Sequence, residues 1–384
     1  MDLSAGIIPF TSVTASGPVD LAAAIPIDNL SSRTVLITGG ASGLGAATAL
    51  SLASHGANVI IGDLASQSTP AAELVAKLRK VSGHENHHFV AADVLSWSSQ
   101  VALFQTAASL SPHGGIDCVM ANAGIADAAE AMRFANPPAP SSLADSSTAP
   151  PPALKTVGVN LTGVLYTTYL ALSYLPANPA SKPCSPRTNS SSGSTPRDRH
   201  LLLVSSIAGL LPLPTQPLYT AAKHGVVGLF RSLRLTAAQT HGIRVNMLCP
   251  YFVDTPILGR GGALACAGGE MAHVEDVAEA ATRLIADDGI VGRGLEIGVR
   301  GKTGDEQNRA AGLEPAAGED SLNGRQPHSQ AIWDVYAHDF EQSDIFTRRV
   351  IAVTNIVATA RGWTGIVSDI AAKLASPLRK LVGR

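Results

Sequence analysis

Cysteine is scarce in this chain of 384 residues, and its four copies are scattered. They form no Cys-x-x-Cys pair, and no histidine stands at metal-ligand spacing from them. This pattern predicts neither a disulfide framework nor a zinc site, and it is typical of a reducing compartment. His87 and His88 are adjacent, and neighbours on a strand point to opposite faces. We therefore expect no bound metal. The cysteines are Cys118, Cys184, Cys249 and Cys266.

Charge and long apolar runs are also limited. Charged residues make up 15% of the chain and the formal net charge is −2, so nothing attracts nucleic acid in general. No N-terminal segment combines a basic start, a long apolar run and a small-residue cleavage site. The best later candidate for a membrane span, residues 350 to 360, falls well short of the ~20 apolar residues required. These absences predict a cytoplasmic protein without a nucleic-acid partner.

Hydrophobic residues, at 45%, are numerous enough to form a substantial core. From residue 34 to about residue 299, strand-like runs alternate with alanine- and leucine-rich segments of helix length. This alternation predicts parallel strands joined by right-handed helical crossovers. The fold class is therefore α/β, a doubly wound parallel sheet of the Rossmann type in one catalytic domain. Strands are predicted near residues 34–38, 58–62, 88–92, 117–121, 201–205, 244–248 and 294–298.

The regions outside this alternation divide the chain. We predict an N-terminal arm at residues 1–30, a Rossmann-type α/β domain at 31–300, and a linker with a helical extension at 301–384. Two stretches rich in Ala, Pro and Ser, residues 127–152 and 176–199, interrupt the domain. Because they have little apolar surface to bury, we interpret both as surface insertions. The first insertion, residues 127–152, precedes the candidate site residue Asn160 and is placed to overhang the site.

The C-terminal extension carries an amphipathic pattern. Apolar residues recur at three- and four-residue steps between residues 350 and 381, which predicts a helix. Arg379, Lys380 and Arg384 follow at its end, where cations favour both a helix C-terminus and an anionic surface. Two interpretations stay open. In the first, the helix docks on its own domain or on a partner subunit. In the second, it makes weak contact with a membrane surface.

A glycine-rich turn follows the first predicted strand. The apolar run 35–37 leads into Thr-Gly-Gly-Ala-Ser-Gly-Leu-Gly, which ends at Gly45, and an alanine-rich helical segment comes next. Such a turn lets backbone N–H groups approach a pyrophosphate at the positive end of a helix. Its spacing is Gly-x-x-x-Gly-x-Gly rather than the commoner Gly-x-Gly-x-x-Gly. The segment predicts a dinucleotide site.

Tyr219 and Lys223 stand four residues apart, with Ser206 thirteen residues upstream. On a helix, positions i and i+4 share one face, so the phenol and the ammonium project together. Bringing a phenol from ~10 toward neutrality requires roughly 4 kcal/mol of phenolate stabilisation. A fixed cation in a partly dry cleft supplies energy of that order. We therefore expect Lys223 to lower the pKa of Tyr219.

The glycine spacing and the Tyr-x-x-x-Lys pair together resemble the short-chain dehydrogenase/reductase family, and the resemblance covers about residues 31 to 300. Tyr251 stands where the family usually has glycine, so we expect an altered backbone or a narrower cleft there. The other matching segments are Asn122-Ala123-Gly124 (with Ala121 replacing the first residue of Asn-Asn-Ala-Gly), Asn160 in Val-Asn-Leu-Thr-Gly, Ser206 in Leu-Val-Ser-Ser-Ile-Ala-Gly, and Pro250 to Thr255.

The resemblance implies roles for the matched residues. In the family the tyrosine exchanges a proton with the substrate, the lysine supports it and holds the cofactor ribose, the serine binds the reacting oxygen, and the asparagine continues a proton relay. Those catalytic positions are Asn160, Ser206, Tyr219 and Lys223. The implied cofactor-binding residues are Gly39, Ser42, Gly43, Leu44, Gly45, Asp63, Asp93, Val94, Asn122, Ala123, Gly124, Tyr219, Lys223, Pro250, Val253 and Thr255. The implied substrate contacts are Ser206, Gln216 and Tyr219.

Within the family, three segments are similar to the NAD-linked 15-hydroxyprostaglandin dehydrogenase type. These are Gln-Pro-Leu-Tyr at 216–219, Lys-His-Gly-Val-Val-Gly at 223–228, and Phe-Val-Asp-Thr-Pro-Ile-Leu at 252–258. In that branch the residue matching Gln216 contacts the substrate hydroxyl. Fold and chemistry are carried over more safely than substrate identity.

Charge predicts the cofactor preference. Asp63 ends the second predicted strand about twenty residues after the glycine turn, where a carboxylate accepts a hydrogen bond from a ribose 2′-hydroxyl and repels a 2′-phosphate. No Arg or Lys lies between Thr38 and Asp63 to neutralise that phosphate. NAD is therefore favoured over NADP. Asp93 resembles the family's adenine-pocket aspartate, with helix N-capping as the alternative.

The leading hypothesis is thus an NAD-dependent oxidoreductase that interconverts a secondary alcohol and a ketone on a hydrophobic small molecule. One alternative is an NAD(P)H-dependent ketoreductase or dehydrogenase of a specialised-metabolite pathway, acting on a polyketide, terpenoid or steroid. An alternative of another class is a catalytically silent dinucleotide-binding protein. The family resemblance also implies a homodimer or homotetramer.

Overall fold

The computed structural model describes residues 15–139, 150–184, 197–259, 269–300 and 331–336, together with single helical positions at 353, 356 and 360. Residues 15–337 form one compact unit, and residues 1–14 and 338–384 form a second. The predicted C-terminal helix lies almost entirely outside the described residues. The unit formed by residues 15–337 contains the predicted α/β domain.

An eight-stranded sheet forms the centre of this unit, in the order β3-β2-β1-β4-β5-β6-β7-β8. All neighbouring pairs are parallel except β7 and β8. The predicted doubly wound parallel sheet is confirmed, and the first seven strands lie within two residues of their predicted bounds. The strands are β1 (Thr34–Thr38), β2 (Asn58–Asp63), β3 (His87–Ala91), β4 (Cys118–Ala121), β5 (Arg199–Val204), β6 (Ile243–Pro250), β7 (Gly294–Ile297) and β8 (Ile332–Val335).

Helices cover both faces of the sheet, which is why the central strands are continuously apolar. In β1, Val35 and Ile37 pack with α1, α2 and α9, whereas Leu36 packs on the opposite face with α3, α6 and α7. This alternation follows from the two-residue period of a strand. The helices are α1 (Gly43–Ser54), α2 (Ser68–Ser82), α3 (Trp97–Leu110), α4 (Ala128–Ala135), α5 (Lys155–Val157), α6 (Val164–Ala177), α7 (Pro217–Leu233), α8 (Ala237–Thr240) and α9 (Val274–Ala286).

Strand β8 lies in the segment that we expected to be linker and helix. It runs antiparallel to β7, with Ile332 opposite Ile297. The carboxylate of Asp334 accepts a hydrogen bond from the backbone N–H of Val19 at 2.7 Å. The strand therefore joins the sheet edge to the N-terminal segment, and this part of the prediction for residues 301–384 is corrected.

Residues 15–30, expected to belong to an arm, lie against the domain. The Ser16 backbone N–H donates to the Val291 carbonyl at 2.9 Å, and the Arg283 guanidinium donates to the Ala23 carbonyl at 2.8 Å. Leu30 is fully buried in the core. Residues 1–14 lie outside the described part of the chain.

The first insertion is partly helical, contrary to expectation. Helix α4 begins after Asp127, whose carboxylate accepts from the Glu130 N–H at 2.9 Å. The buried Glu130 carboxylate in turn accepts from the backbone N–H groups of Lys155, at 2.5 Å, and Thr156, at 2.9 Å. These N–H groups begin α5 and have no partner within the helix. Glu130 thus ties the insertion to the domain. Residues 140–149 lie outside the described residues.

The second insertion is anchored by a buried ion cluster. Asp198 accepts hydrogen bonds from Arg33 and Arg244, each at 2.5 Å, and all three side chains are fully buried. Arg244 also donates to backbone carbonyls at the end of α9, including that of Leu284 at 2.6 Å. The cluster lies at the amino ends of β1, β5 and β6. Residues 185–196 lie outside the described residues.

Candidate active site

A cavity of about 1020 Å³ lies at the carboxyl ends of the parallel strands. Open α/β sheets bind their ligands at this edge. Of the predicted site residues, Gly45 and Asn160 lie behind the wall, and the others line the cavity. Those lining residues are Gly39, Ser42, Gly43, Leu44, Asp63, Asp93, Val94, Asn122, Ala123, Gly124, Ser206, Gln216, Tyr219, Lys223, Pro250, Val253 and Thr255.

The glycine turn between β1 and α1 depends on the absence of side chains. Gly39 has φ of 65°, and a Cβ on it would lie 2.7 Å from the Cα of Ala123. A Cβ on Gly45 would lie 2.5 Å from the Gly39 carbonyl oxygen. The Asn122 amide supports the turn by donating to the carbonyls of Thr38 and Gly39, at 3.0 and 2.9 Å. The turn is therefore packed against the segment that follows β4.

The turn offers donors to an anion. Ser42 is the N-cap of α1, but its side chain accepts no capping hydrogen bond. The first N–H groups of α1 have no partner within the helix, and the helix dipole makes this end positive. Gly43 lies opposite Thr255, because a Cβ on Gly43 would be 3.4 Å from the Thr255 Cβ. The residues present thus fit a dinucleotide, with a pyrophosphate site at α1 and Thr255 across the cleft.

Two aspartates follow β2 and β3 in the cavity wall. The Asp63 carboxylate accepts from the N–H of Ala41 at 3.0 Å and from that of Leu64 at 2.8 Å, so its position is fixed beside the turn. The Asp93 carboxylate accepts from the Leu95 N–H at 2.9 Å. The N-cap of α3 is Ser96, so the alternative that Asp93 caps that helix is excluded.

Helix α7 carries Tyr219 and Lys223 into the cavity. The Lys223 Nζ lies 5.6 Å from the centre of the Tyr219 ring and donates to the Val204 carbonyl at 3.1 Å. The Ser206 hydroxyl hydrogen-bonds the Tyr219 phenol. Ser205 donates instead to the Lys223 backbone carbonyl at 3.0 Å. Both serines line the cavity, and the choice of Ser206 over Ser205 stays a prediction.

The electrostatics of this pair differ from our expectation. Burial raises the pKa of the Tyr219 phenol, and the hydrogen bond from Ser206 acts in the opposite direction. Burial also lowers the pKa of Lys223 to about 8. The expectation that the Lys223 cation brings the phenol toward neutrality is corrected, because desolvation disfavours the charged forms of both groups. Beside the effect of burial, the group that lowers the pKa of the Tyr219 phenol is Ser206.

Asn160 supports the site from behind. It lies in a π-helical turn, Gly158–Gly163, between α5 and α6, and such turns often mark functional sites. Its amide accepts from the Ile125 N–H at 2.8 Å and donates to the Ile125 carbonyl at 2.7 Å. A Cβ on Gly124 would lie 2.9 Å from the Asn160 Oδ1 and 3.7 Å from the Lys223 Nζ. Asn160 and Lys223 therefore both lie close to Gly124.

Tyr251 occupies its place without backbone strain. Among the described residues other than glycine, positive φ angles occur at Ser32, Arg197, Thr215 and Tyr336, and Tyr251 is not one of them. Its N–H donates to the Ile297 carbonyl at 2.8 Å, which continues the β6–β7 pairing. Tyr251 lines the cavity, and the expected narrowing of the cleft stays a prediction.

Gln216 presents an unsatisfied acceptor. Its Oε1 is buried and has no hydrogen-bond partner, although the residue lines the cavity. A buried polar atom without a partner costs about 1 to 3 kcal/mol, so this atom favours a ligand that donates a hydrogen bond. Sequence reasoning missed Lys155 and the apolar wall residues Leu213 and Ile257. Ile257 lies in the segment 252–258 quoted above but was not assigned to the site, and no motif marks Lys155 or Leu213.

Replacing Lys223 by Met is expected to stabilise the fold at pH 7 by about 1 to 3 kcal/mol. With a folded pKa of about 8 and an unfolded value near 10.4, Lys223 destabilises the fold most when the pH is below 8. This cost disappears as the pH rises toward 10.4. Urea unfolding at pH 7 and pH 10 measures the effect. A Lys223→Met difference that is independent of pH would contradict it.

In the described part of the chain, no helix is both long and apolar enough to cross a membrane. Within the same ranges, no group of three or more His, Cys, Asp or Glu side chains is placed to hold a metal ion.

Comparisons with known proteins agree on one family. A family model for short chain dehydrogenases matches residues 33–262. The 5'-hydroxyaverantin dehydrogenase of Dothistroma septosporum is 38% identical over 285 residues, which cover 71% of this chain and 86% of that protein. The NAD(+) 15-hydroxyprostaglandin dehydrogenase of Mus musculus is 30% identical over 232 residues, covering 60% of this chain and 71% of that protein.

A solved structure extends the agreement to the fold. The 3-ketoacyl-(acyl-carrier-protein) reductase from Brucella melitensis, complexed with NADH, is 26% identical and superposes with a TM-score of 0.53. The match covers 70% of this chain and 97% of that one. The resemblance predicted from the motifs is confirmed. The chain belongs to the short-chain dehydrogenase family, whose members are oxidoreductases that act on CH–OH groups with a nicotinamide dinucleotide.

Proposed function

We propose that the protein is an NAD-dependent dehydrogenase that interconverts a secondary alcohol and a ketone on a hydrophobic small molecule. The observation that carries the proposal is the meeting of Ser206, Tyr219 and Lys223 with the glycine turn in one cavity. The remaining wall near Tyr219 is largely apolar, with Ile207 and Leu213 on it. Such a cavity suits a hydrophobic substrate held by a few polar groups.

In the proposed mechanism, Tyr219 takes the proton of the substrate hydroxyl during oxidation and returns it during reduction. Ser206 hydrogen-bonds the reacting oxygen and the phenolate, and Lys223 holds the cofactor ribose. Asn160 holds the loop at Gly124 through its bonds to Ile125, beside Lys223. When bound, the dinucleotide supplies the hydride acceptor or donor. Gly39 to Gly45, Asn122 and Thr255 would hold it.

Cofactor preference is proposed from Asp63. Its fixed carboxylate lies in the cavity wall and favours a ribose hydroxyl over a phosphate. Replacing Asp63 by Ser is expected to lower the ratio of kcat/KM with NAD to kcat/KM with NADP at least about tenfold, since a hydrogen bond to a charged group contributes about 1.5 to 3 kcal/mol. Steady-state kinetics with both cofactors measure the ratio.

Asp93→Ser is the matched control for this prediction. Asp93 also lines the cavity but is proposed for the adenine pocket, which the two cofactors share. Asp93→Ser should weaken the binding of NAD and NADP alike and leave the ratio of the two kcat/KM values unchanged. An unaltered ratio in Asp63→Ser would remove the argument for NAD.

A second candidate function is a dehydrogenase or ketoreductase of specialised metabolism, acting on a polyketide, terpenoid or steroid. The 38% identity to a 5'-hydroxyaverantin dehydrogenase favours it. A panel of lipidic and polycyclic secondary alcohols, assayed by the absorbance of reduced nicotinamide with NAD or NADP, separates the two. Saturable NAD binding without turnover of any alcohol or ketone would favour a catalytically silent binding protein instead.

Assembly and location also remain proposals. We propose a homodimer or homotetramer in the cytoplasm, on the family resemblance and on the exposed apolar side chain of Leu165 on α6. Light scattering of the full chain measures the assembly. The proposed membrane contact concerns the C-terminal helix, of which only positions 353, 356 and 360 are described.

A further inference from the structure

Tyr251 is an aromatic wall residue at a position that the sequence marks as unusual. It directly follows Pro250, whose carbonyl accepts from the Ser206 hydroxyl at 3.5 Å. Its side chain lines the cavity and is 37% exposed. The ring therefore stands one residue from the contact that positions Ser206, with part of its surface open to a ligand.

The ring is held in one orientation. Phe252 packs perpendicular to it, with the ring centres 5.0 Å apart and an angle of 89° between the planes. The backbone on the other side is fixed by the hydrogen bond from the Tyr251 N–H to Ile297. A perpendicular pair is a favoured aromatic geometry. Tyr251 thus offers a fixed surface rather than a mobile side chain, and fixed groups bind at a lower entropic cost.

The surroundings select for an apolar ligand. Ile207, Leu213, Pro214 and Ile257 line the same cavity as Tyr251. Aliphatic side chains accept any apolar group of suitable size. An aromatic ring adds a preference for other aromatic rings, because its quadrupole favours offset-stacked and edge-to-face contacts beyond simple burial.

We propose that Tyr251 is a specificity-determining residue that stacks on a planar aromatic ring of the substrate. This inference rests on the proposed alcohol and ketone chemistry and names the substrate class for that site. The substrate carries its secondary alcohol or ketone next to an aryl ring system. The carbinol carbon lies at Ser206 and Tyr219, and the ring system lies against Tyr251.

The test uses two substrates that differ only in aromaticity. One is a secondary alcohol with a naphthyl group, and the other is the same alcohol with that ring system fully hydrogenated. The selectivity is the ratio of their kcat/KM values with NAD. In Tyr251→Leu this ratio should fall about 3- to 10-fold, the size of one aromatic pair contact, whereas Tyr251→Phe should keep it within about twofold.

Tyr169→Leu is the matched control, because Tyr169 is an exposed tyrosine of α6 outside the cavity lining. It should leave the ratio unchanged. The dissociation constant of NAD is measured for every variant. An unchanged ratio in Tyr251→Leu, an equal fall in Tyr251→Phe, or a loss of NAD affinity that accounts for the fall would each overturn the proposal.

Failure of the proposed chemistry gives a different result. If the wild type turns over neither alcohol, calorimetric titration of the NAD-bound protein with the two corresponding ketones replaces the kinetic ratio. Tighter binding of the aryl ketone, reduced in Tyr251→Leu and retained in Tyr251→Phe, would still support stacking at Tyr251. Equal affinities for the two ketones would refute it.

Discussion

Replacing Tyr219 by Phe is expected to lower kcat by a factor of about 10² to 10⁴, the usual contribution of a positioned acid or base. The phenol oxygen is the group proposed to exchange the substrate proton, and Ser206 and Lys223 are arranged around it. The ring itself remains, so the dissociation constant of NAD should change by no more than about twofold. Stopped-flow or steady-state kinetics and fluorescence titration of NAD measure the two quantities separately.

The pH dependence provides a second readout of the same residue. Because burial raises the pKa of the Tyr219 phenol, the phenolate needed for oxidation becomes more abundant as pH rises through the alkaline range. Alcohol oxidation should therefore accelerate with pH and ketone reduction should slow. Tyr169→Phe, a matched change on α6, should show the wild-type profile. Full turnover by Tyr219→Phe would contradict the proposal that Tyr219 exchanges the substrate proton.

The largest expected effect on stability concerns Asp198. Its replacement by Asn should reduce the free energy of unfolding by about 3 to 5 kcal/mol, because Arg33 and Arg244 would remain buried without a counter-charge. Urea unfolding followed by circular dichroism measures this loss. Asp28→Asn, an exposed aspartate in the first turn of a short helix, is the control and should change stability by less than about 0.5 kcal/mol.

Acid titration tests the same cluster from another direction. The two arginines hold the pKa of Asp198 below its usual range. A depressed carboxyl pKa contributes stability that is complete above the unfolded value near 3.9 and is lost as pH falls through the folded value. The difference between wild type and Asp198→Asn should therefore shrink below about pH 4. If the difference in the free energy of unfolding stayed constant across that pH range, the ion cluster would not be the cause of the lost stability.

Apolar replacement of the whole cluster should fail to restore stability. Arg244 donates to the carbonyls of Leu284, Asp287 and Ile290 as well as to Asp198. Removing its guanidinium would take a donor from each of these carbonyls, although Asp287 keeps the Ile290 N–H and Ile290 keeps the Asn246 amide. The cluster thus joins the end of α9 to the sheet, and an apolar side chain of similar volume cannot replace that contact.

Periodicity and motif spacing predicted most of the parallel sheet and the cavity wall. The reason is physical, since strands buried on both faces are continuously apolar and their carboxyl ends meet at one edge. Gly39, Asp63 and Tyr219 are each recognisable from residues close to them in sequence. Their positions in the cavity follow from the strand order alone.

The features that escaped prediction depend on distant partners. Strand β8 is only four residues long, and its assignment depends on β7. Glu130 sits in an alanine-rich segment, and its role is visible only once α5 lies beside it. The direction of the Tyr219 pKa shift could not be obtained from the spacing to Lys223, because burial raises the pKa of the phenol and spacing does not reveal burial. Sequence patterns predict which side chains come together. They do not predict how far these side chains are buried from water.

The bond between Glu130 and the start of α5 limits how the chain can be shortened. The helix that begins there continues through the π-helical turn to Asn160, so a deletion removing Glu130 would expose the N–H groups that this carboxylate now satisfies. Any trimmed version made for crystallisation or engineering should therefore keep α4 and start its deletion after Asn136. A deletion that starts earlier would remove this support from the helix that leads to Asn160.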